Sequence, residues 1–392
     1  MDPIVPGSMS SGAAALAPRA AAERQLHDRH MREADFDQAP FTIAWEVTRA
    51  CAFACVHCRA DAQHTRDPRE LTTEEGYALL DRFKAFGSPI VVFTGGDPMM
   101  RRDLFALIRR ATDLGLRASL TPTATALPTE ARLRQAMEAG VRRIALSLDA
   151  PSPAVHDAFR QVPGSWERTM QILRNAQAVG LSAQINTTVT RHNAHLLPEM
   201  VQFVEAVGAV QWSVFFLVPT GRGQIADMIS PEEHERIFHW LYDLSQRGKF
   251  DIKATAAPMY RRVAIERQRQ QAAAGGASGS VAFQGAGFQY ADGLHRPVKG
   301  VNDGRGFLFI SHLGEIMPSG FLPLSAGNVR MDDVVDVYRH HPMFVALRDP
   351  AALKGKCGVC EYSVVCGGQR GRAYALTGDY LETDPACAYE PN

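Results

Sequence analysis

Seven cysteines in 392 residues fall into two tight groups. The first, in the stretch CAFACVHC, is Cys51, Cys55 and Cys58, a C-x3-C-x2-C spacing with His57 against the last thiol. The second is Cys357, Cys360, Cys366 and Cys387, spaced C-x2-C-x5-C-x20-C. Cysteine thiolates suit soft metals and iron–sulfur clusters, and four of them saturate one cluster. Three leave a metal position open, where a small chelating ligand can bind as substrate does at the vacant position of a catalytic metal. Clustered thiols speak for metal binding, whereas a secreted disulfide framework would scatter them. Spacing alone leaves open a zinc knuckle completed by His57 or His64 in the first group, and a structural four-cysteine zinc site in the second.

Such groups need a scaffold that holds them. From residue 40 onward six β-rich runs recur, at residues 41–47, 89–96, 115–122, 143–150, 182–190 and 210–218. Helical patterns separate them, one capped by Thr72 or Thr73 and ended at Gly87, another opened by Ser230 and Pro231. Strand alternating with helix predicts an α/β fold with a parallel sheet, open or curved into a barrel, and six units are too few for a full eight-fold one. Ligands in such folds bind beyond the carboxyl ends of the strands. The first thiol group follows strand one, and TGGDP (residues 94–98) ends strand two. Residues 267–293, rich in Gly, Ala and Gln, read as a flexible insertion. Residues 304–321 read as a hairpin turning at Leu313 and Gly314 that opens the cysteine-bearing C-terminal module. Domain boundaries are expected at 1–39 (flexible leader), 40–235 (barrel), 236–305 (helical linker with the insertion) and 306–392 (C-terminal module).

The length favours a large domain plus a smaller one. An apolar share of 46% with 21% charged residues is that of a packed globular chain. Lys plus Arg (42) balance Asp plus Glu (42), so net charge points to neither nucleic acid nor an anionic membrane. No apolar run of 18 residues occurs and the N-terminal stretch lacks a secretory pattern, so a cytoplasmic protein is expected. RQRQQ (267–271), Arg296 and Lys299 could meet acidic groups of a substrate, although a solvated charge run is the plainer reading.

CAFACVHC resembles the cysteine loop of the radical S-adenosylmethionine (radical SAM) superfamily. The resemblance implies a partial (β/α)6 TIM-type barrel in which Cys51, Cys55 and Cys58 hold a [4Fe–4S] cluster, its fourth iron chelated by S-adenosylmethionine. Reductive cleavage of that cofactor yields a 5′-deoxyadenosyl radical that abstracts hydrogen from substrate, with no catalytic residue beyond cluster and cofactor. The resemblance further implies cofactor contacts at His57, beside the adenine, and at Gly95, Gly96 and Asp97 of TGGDP, which is similar to a Gly-Gly-Glu motif with Asp in place of Glu. Ser147 and Asp149 of LSLDA, two apart and so on one strand face, are similar to ribose and carboxylate contacts, as are Asn186 and Thr188, while Arg160 could neutralise the carboxylate. Plainer readings exist: a carboxylate or arginine capping a helix, or a glycine pair in an ordinary βα turn.

The four later cysteines resemble the outer auxiliary cluster of the SPASM extension. Arg370 and Ser319 stand where a full SPASM module carries cysteines of an inner cluster. Two [4Fe–4S] clusters are therefore expected, with the auxiliary one relaying electrons and supporting the pocket. WEVTRAC, GGQRGRAYALTGD and DPACAY look closest to the haem-pathway branch, whose members modify propionate and acetate side chains of tetrapyrroles. A peptide-modifying maturase is the alternative within the family, and a non-catalytic zinc-binding or electron-transfer protein the alternative outside it. The implied partners are a small-molecule or peptide substrate and a low-potential flavodoxin- or ferredoxin-like electron donor, with no nucleic acid and no membrane.

Overall fold

A computed structural model describes residues 35–247, 249–274 and 300–392. Most of the expected leader and of the Gly/Ala-rich insertion, with Arg296 and Lys299, lies outside the described residues. Ten strands form one sheet: β1 (Thr42–Glu46), β2 (Ile90–Thr94), β3 (Arg117–Leu120), β4 (Arg143–Ser147), β5 (Ser182–Val189), β6 (Gln211–Phe216), β7 (Asp251–Thr255), β8 (Phe307–Ile310), β9 (Glu315–Met317) and β10 (Gly327–Asn328). Their order is β10-β9-β8-β1-β2-β3-β4-β5-β6-β7. β1 to β7 run parallel in chain order, and β8 returns to pair parallel with β1, so β1 is flanked on both sides. The outcome is an open, parallel-dominated α/β sheet of the partial-barrel kind.

The six expected strands are all present. A seventh parallel strand, β7, adds to them within the stretch expected to be a helical linker, between the helices Pro231–Ser245 and Met259–Ala273. The hairpin β8–β9 turns where expected and closes antiparallel, Ile310 opposite Ile316. Helix starts follow local chemistry. Thr72 caps Thr73–Phe83 in a reciprocal box with Glu75, and Ser230 does the same with Glu233 ahead of Pro231.

Alternation along the strands divides core from lumen. In β5, Ala183, Ile185, Thr187 and Val189 are buried, while Gln184, Asn186 and Thr188 are half-buried on the other face. The buried faces join Trp45, Phe93, Leu120, Ile144 and Trp212 in one continuous core beneath the helices. Fixing that core fixes the strand ends, and with them the loops that follow. No helix among the described residues is long and apolar enough to cross a membrane.

Candidate functional site

β1 ends at Glu46, a fully buried carboxylate that accepts from Arg59 at 2.8 Å and pairs with His312 Nδ1 at 2.9 Å. Burial alone would raise its pKa, but Arg59, His312 and Arg49 together hold it down to about 2. This anchored strand end launches the loop carrying the first thiol group. Cys51 N donates to Gln63 O at 2.7 Å, Cys58 N to Cys55 O at 3.2 Å, and Arg222 Nε to Cys55 O at 2.9 Å, so the loop is tied at both ends. Cys51 and Cys55 are buried and Cys58 half-buried, and all three edge one cavity of about 250 Å3 beyond the carboxyl ends of the strands. Burial pushes the Cys51 thiol up to about 11 and raises Cys55 as well, the latter opposed by Arg160.

The glycine pair is fitted against this loop. Gly96 N donates to Thr48 O at 2.9 Å and Asp97 N to Ala50 O at 2.7 Å. A Cβ on Gly95 would stand 2.4 Å from Thr48 O, and one on Gly96 2.5 Å from Ala50 O, so only glycine allows this approach of two backbones. Both glycines line the cavity.

Asp97 departs from the expected cofactor contact. It is fully buried and spends its carboxylate on Met99 N (3.1 Å), Thr123 N (3.3 Å) and Thr125 Oγ1 (2.9 Å). Its place is structural, because the crossing from β2 to the loop after β3 leaves amides that need an acceptor.

Asp149 also turns away from the lumen. It accepts from Thr188 N at 2.9 Å and forms an ion pair with Arg160. Burial works against its charge, but Arg160 holds it below the usual carboxylate range. Arg160 lines the cavity with its Nη1 3.8 Å from Cys55 Sγ, so Asp149 positions a cation beside the thiol loop. Ser147, Asn186 and Thr188 line the same cavity, as alternation on β4 and β5 requires. His57 lines it too. Its ring lies 4.3 Å from that of Phe159 and its buried Nδ1 has no hydrogen-bond partner among the described residues, while burial and then Arg160 lower its pKa to about 3. A neutral imidazole with a free buried nitrogen is a group built to meet a ligand.

Sequence reasoning missed Thr123, His156, Phe215 and Phe321, which complete the lining. Thr123 Oγ1 lies 3.8 Å from Cys51 Sγ and donates to Gly96 O at 2.8 Å. Its position at the carboxyl end of β3 was the available signal.

The second thiol group also converges. Cys357, Cys360, Cys366 and Cys387 line one small cavity. Burial raises Cys360, pushes Cys366 up to about 12 and Cys387 up to about 11. Gly368 N donates to Cys366 Sγ at 3.4 Å and Arg370 Nη2 to Cys357 Sγ at 3.5 Å. Among the described residues no three His, Cys, Asp or Glu side chains converge tightly enough to hold a single ion. Three thiols border the first cavity and four the second, donor sets that suit soft metals and iron–sulfur groups.

Known proteins agree with this geometry. The sequence profile described as the Radical SAM superfamily matches residues 45–204. The chain is 42% identical over 351 residues to a protein of Nitratidesulfovibrio vulgaris named AdoMet-dependent heme synthase, covering 89% of this chain and 92% of that one. A protein of the same name from Methanosarcina barkeri is 41% identical over 353 residues, covering 90% and 97%. The solved structure of Streptococcus suis SuiB bound to S-adenosylmethionine superposes with a TM-score of 0.68 at 15% identity, over 98% of this chain and 84% of that one, a likeness of fold.

Proposed function

The chain belongs to the radical SAM superfamily, in the branch whose members are named for haem synthesis, and from that premise we propose that it decarboxylates a propionate side chain of a tetrapyrrole. It is an enzyme whose cofactors are S-adenosylmethionine and a [4Fe–4S] cluster. The observation that carries the substrate reading is the 42% identity to an AdoMet-dependent heme synthase across most of both chains. The cavity supports it. Phe215, Leu217, Val218 and Phe321 give it an apolar wall suited to a flat ring.

Cys51, Cys55 and Cys58 are the proposed ligands of the cofactor-binding cluster. When bound, cluster and S-adenosylmethionine supply the hydrogen-abstracting radical chemistry. The chain's residues bind and orient. Gly95 and Gly96 let main-chain carbonyls reach the cofactor's amino group, Ser147, Asn186 and Thr188 offer polar groups to its ribose and carboxylate, Arg160 offers charge to that carboxylate, and His57 packs beside the adenine. Asp97 and Asp149 act through others, holding the glycine turn and Arg160. Conversion of a propionate to a vinyl group removes one hydrogen atom, carbon dioxide and one electron. A second, fully ligated [4Fe–4S] group at Cys357, Cys360, Cys366 and Cys387, a SPASM-type feature, suits the role of electron relay. A low-potential flavodoxin- or ferredoxin-like protein is the proposed donor and the cytoplasm the proposed location.

The test is turnover of anaerobically reconstituted protein with S-adenosylmethionine, dithionite and an iron tetrapyrrole bearing propionates. A vinyl product and 5′-deoxyadenosine forming together are expected. A tetrapyrrole of unchanged mass, with 5′-deoxyadenosine formed equally in its absence, would overturn the substrate reading. Gly96→Ala is expected to weaken S-adenosylmethionine binding by about tenfold or more, about 1.4 kcal/mol, because backbone on one side of the new methyl must move. Equilibrium binding to the cluster-loaded protein reads this, and unaltered affinity would remove the glycine turn from the cofactor site.

A further inference from the structure

Arg370 is 1% exposed, beside the second thiol group. All three nitrogens of its guanidinium are engaged. Nε donates to Gly368 O at 3.2 Å, Nη1 to Tyr380 O at 3.1 Å and Glu382 O at 2.7 Å, and Nη2 to Cys357 Sγ at 3.5 Å. Gly368, at φ +62°, makes room for it, since a Cβ there would lie 2.2 Å from Arg370 Nη2 and 3.1 Å from Cys357 Sγ. The neighbouring Arg372 has a carboxylate partner in Asp384 at 3.0 Å. Among the described residues Arg370 has none at ion-pair distance. Asp303 and Asp379 are near enough to sense its charge, but Asp303 takes Gln369 Nε2 and Gly371 N, and Asp379 takes Lys354. Carbonyl oxygens satisfy the donors of a guanidinium without neutralising it, and an unneutralised buried cation is costly. The group within hydrogen-bond distance of Arg370 that can carry negative charge is the thiol set it touches, through Cys357 Sγ.

We propose that Arg370 is the built-in counter-cation of the group held by Cys357, Cys360, Cys366 and Cys387, and that it raises that group's reduction potential. This rests on the reading that the four thiols hold a [4Fe–4S] cluster. A cluster gains one negative charge on reduction, so a fixed positive charge at a ligand sulfur favours the reduced form, and hydrogen bonds to cluster sulfurs act in the same direction. The same cation gives the site a preference for an anionic, four-thiolate occupant. Lys356 and Arg262 also line this cavity, but Lys356 bonds Glu390 and Arg262 pairs with Glu235 and Glu266, so their charges are largely spent.

The experiment uses the full chain carrying Cys51→Ala, Cys55→Ala and Cys58→Ala, in which any cluster belongs to the four-thiol group. Iron and acid-labile sulfide are assayed first, and a background that holds neither defeats the cluster reading itself. In a loaded background, Arg370→Met and Arg370→Gln are compared with Arg370→Lys by EPR-monitored redox titration. Arg370→Gln keeps a hydrogen-bond donor and guards against a folding defect. A shift to more negative potential in both neutral variants, with the lysine variant near the parent, is expected. Loss of iron from both neutral variants while the lysine variant stays loaded upholds the counter-cation through occupancy. Potentials that do not move, a lysine variant that shifts as far as the neutral ones, or loss of cluster in all three overturns the proposal, leaving Arg370 a purely structural tie.

Discussion

Cys55→Ala is expected to abolish 5′-deoxyadenosine formation while leaving the chain folded, with bound iron falling by about half if the chain holds the two proposed four-iron clusters. The fold survives because the loop is held by its backbone: Cys55 O still accepts from Cys58 N and Arg222 Nε, and Cys51 N still donates to Gln63 O. Trimming one buried thiol to a methyl costs about 1 kcal/mol, the ordinary scale for a single substitution. The chemistry has no such reserve. Of three thiolates one is lost, and Arg160, which points at Cys55 Sγ, is left facing a methyl group. Product analysis after anaerobic reduction decides the matter. Formation of 5′-deoxyadenosine at the rate of the unaltered protein would exclude Cys55 as a cluster ligand and undo the cofactor assignment.

The grouping of the thiols was legible from local spacing, because the cysteines of each set border one cavity. The six apolar, β-branched runs likewise identify themselves. β7 does not. DIKAT sets Asp251, Lys253 and Thr255 against only Ile252 and Ala254, and its strand form comes from pairing with β6, Trp212 opposite Ile252. Asp97 shows the opposite failure. A carboxylate behind a glycine pair reads as a ligand contact, but β2 and β3 lie side by side, which brings Thr123 and Thr125 to it and uses up its oxygens. Asp149 could be read as a helix cap or a cofactor contact, and its pairing with Arg160 became visible only once the helix Pro153–Arg160 was folded back over the strand end. Phe215 on β6 and Phe321 beyond β9 meet with ring centroids 6.4 Å apart, a contact that no periodicity foretells.

One buried ion pair ties the helix Arg370–Thr377 to the ends of β6 and β7, and its removal is expected to be strongly destabilising. Arg372 and Asp384 are both fully buried and bonded at 3.0 Å. The guanidinium, on the helix Arg370–Thr377 of the C-terminal module, also reaches Leu217 O at 3.3 Å just after β6 and Ala256 O at 2.8 Å just after β7, so it joins the module to the barrel. Asp384 in turn accepts from Gln369 N and Ala386 N, and its carbonyl takes Cys387 N. Asp384→Ala leaves Arg372 charged, buried and unpaired, which costs about 3–5 kcal/mol, and frees the turn that presents Cys387. Urea unfolding of the cluster-loaded protein is expected to show a loss of that size together with earlier release of iron. Asp384→Asn, which keeps the shape and the acceptor oxygen, is expected to lose less. The double change Arg372→Met with Asp384→Leu removes both charges, so it should recover part of the loss instead of adding to it. A loss below about 1 kcal/mol for Asp384→Ala would mean that water reaches the pair.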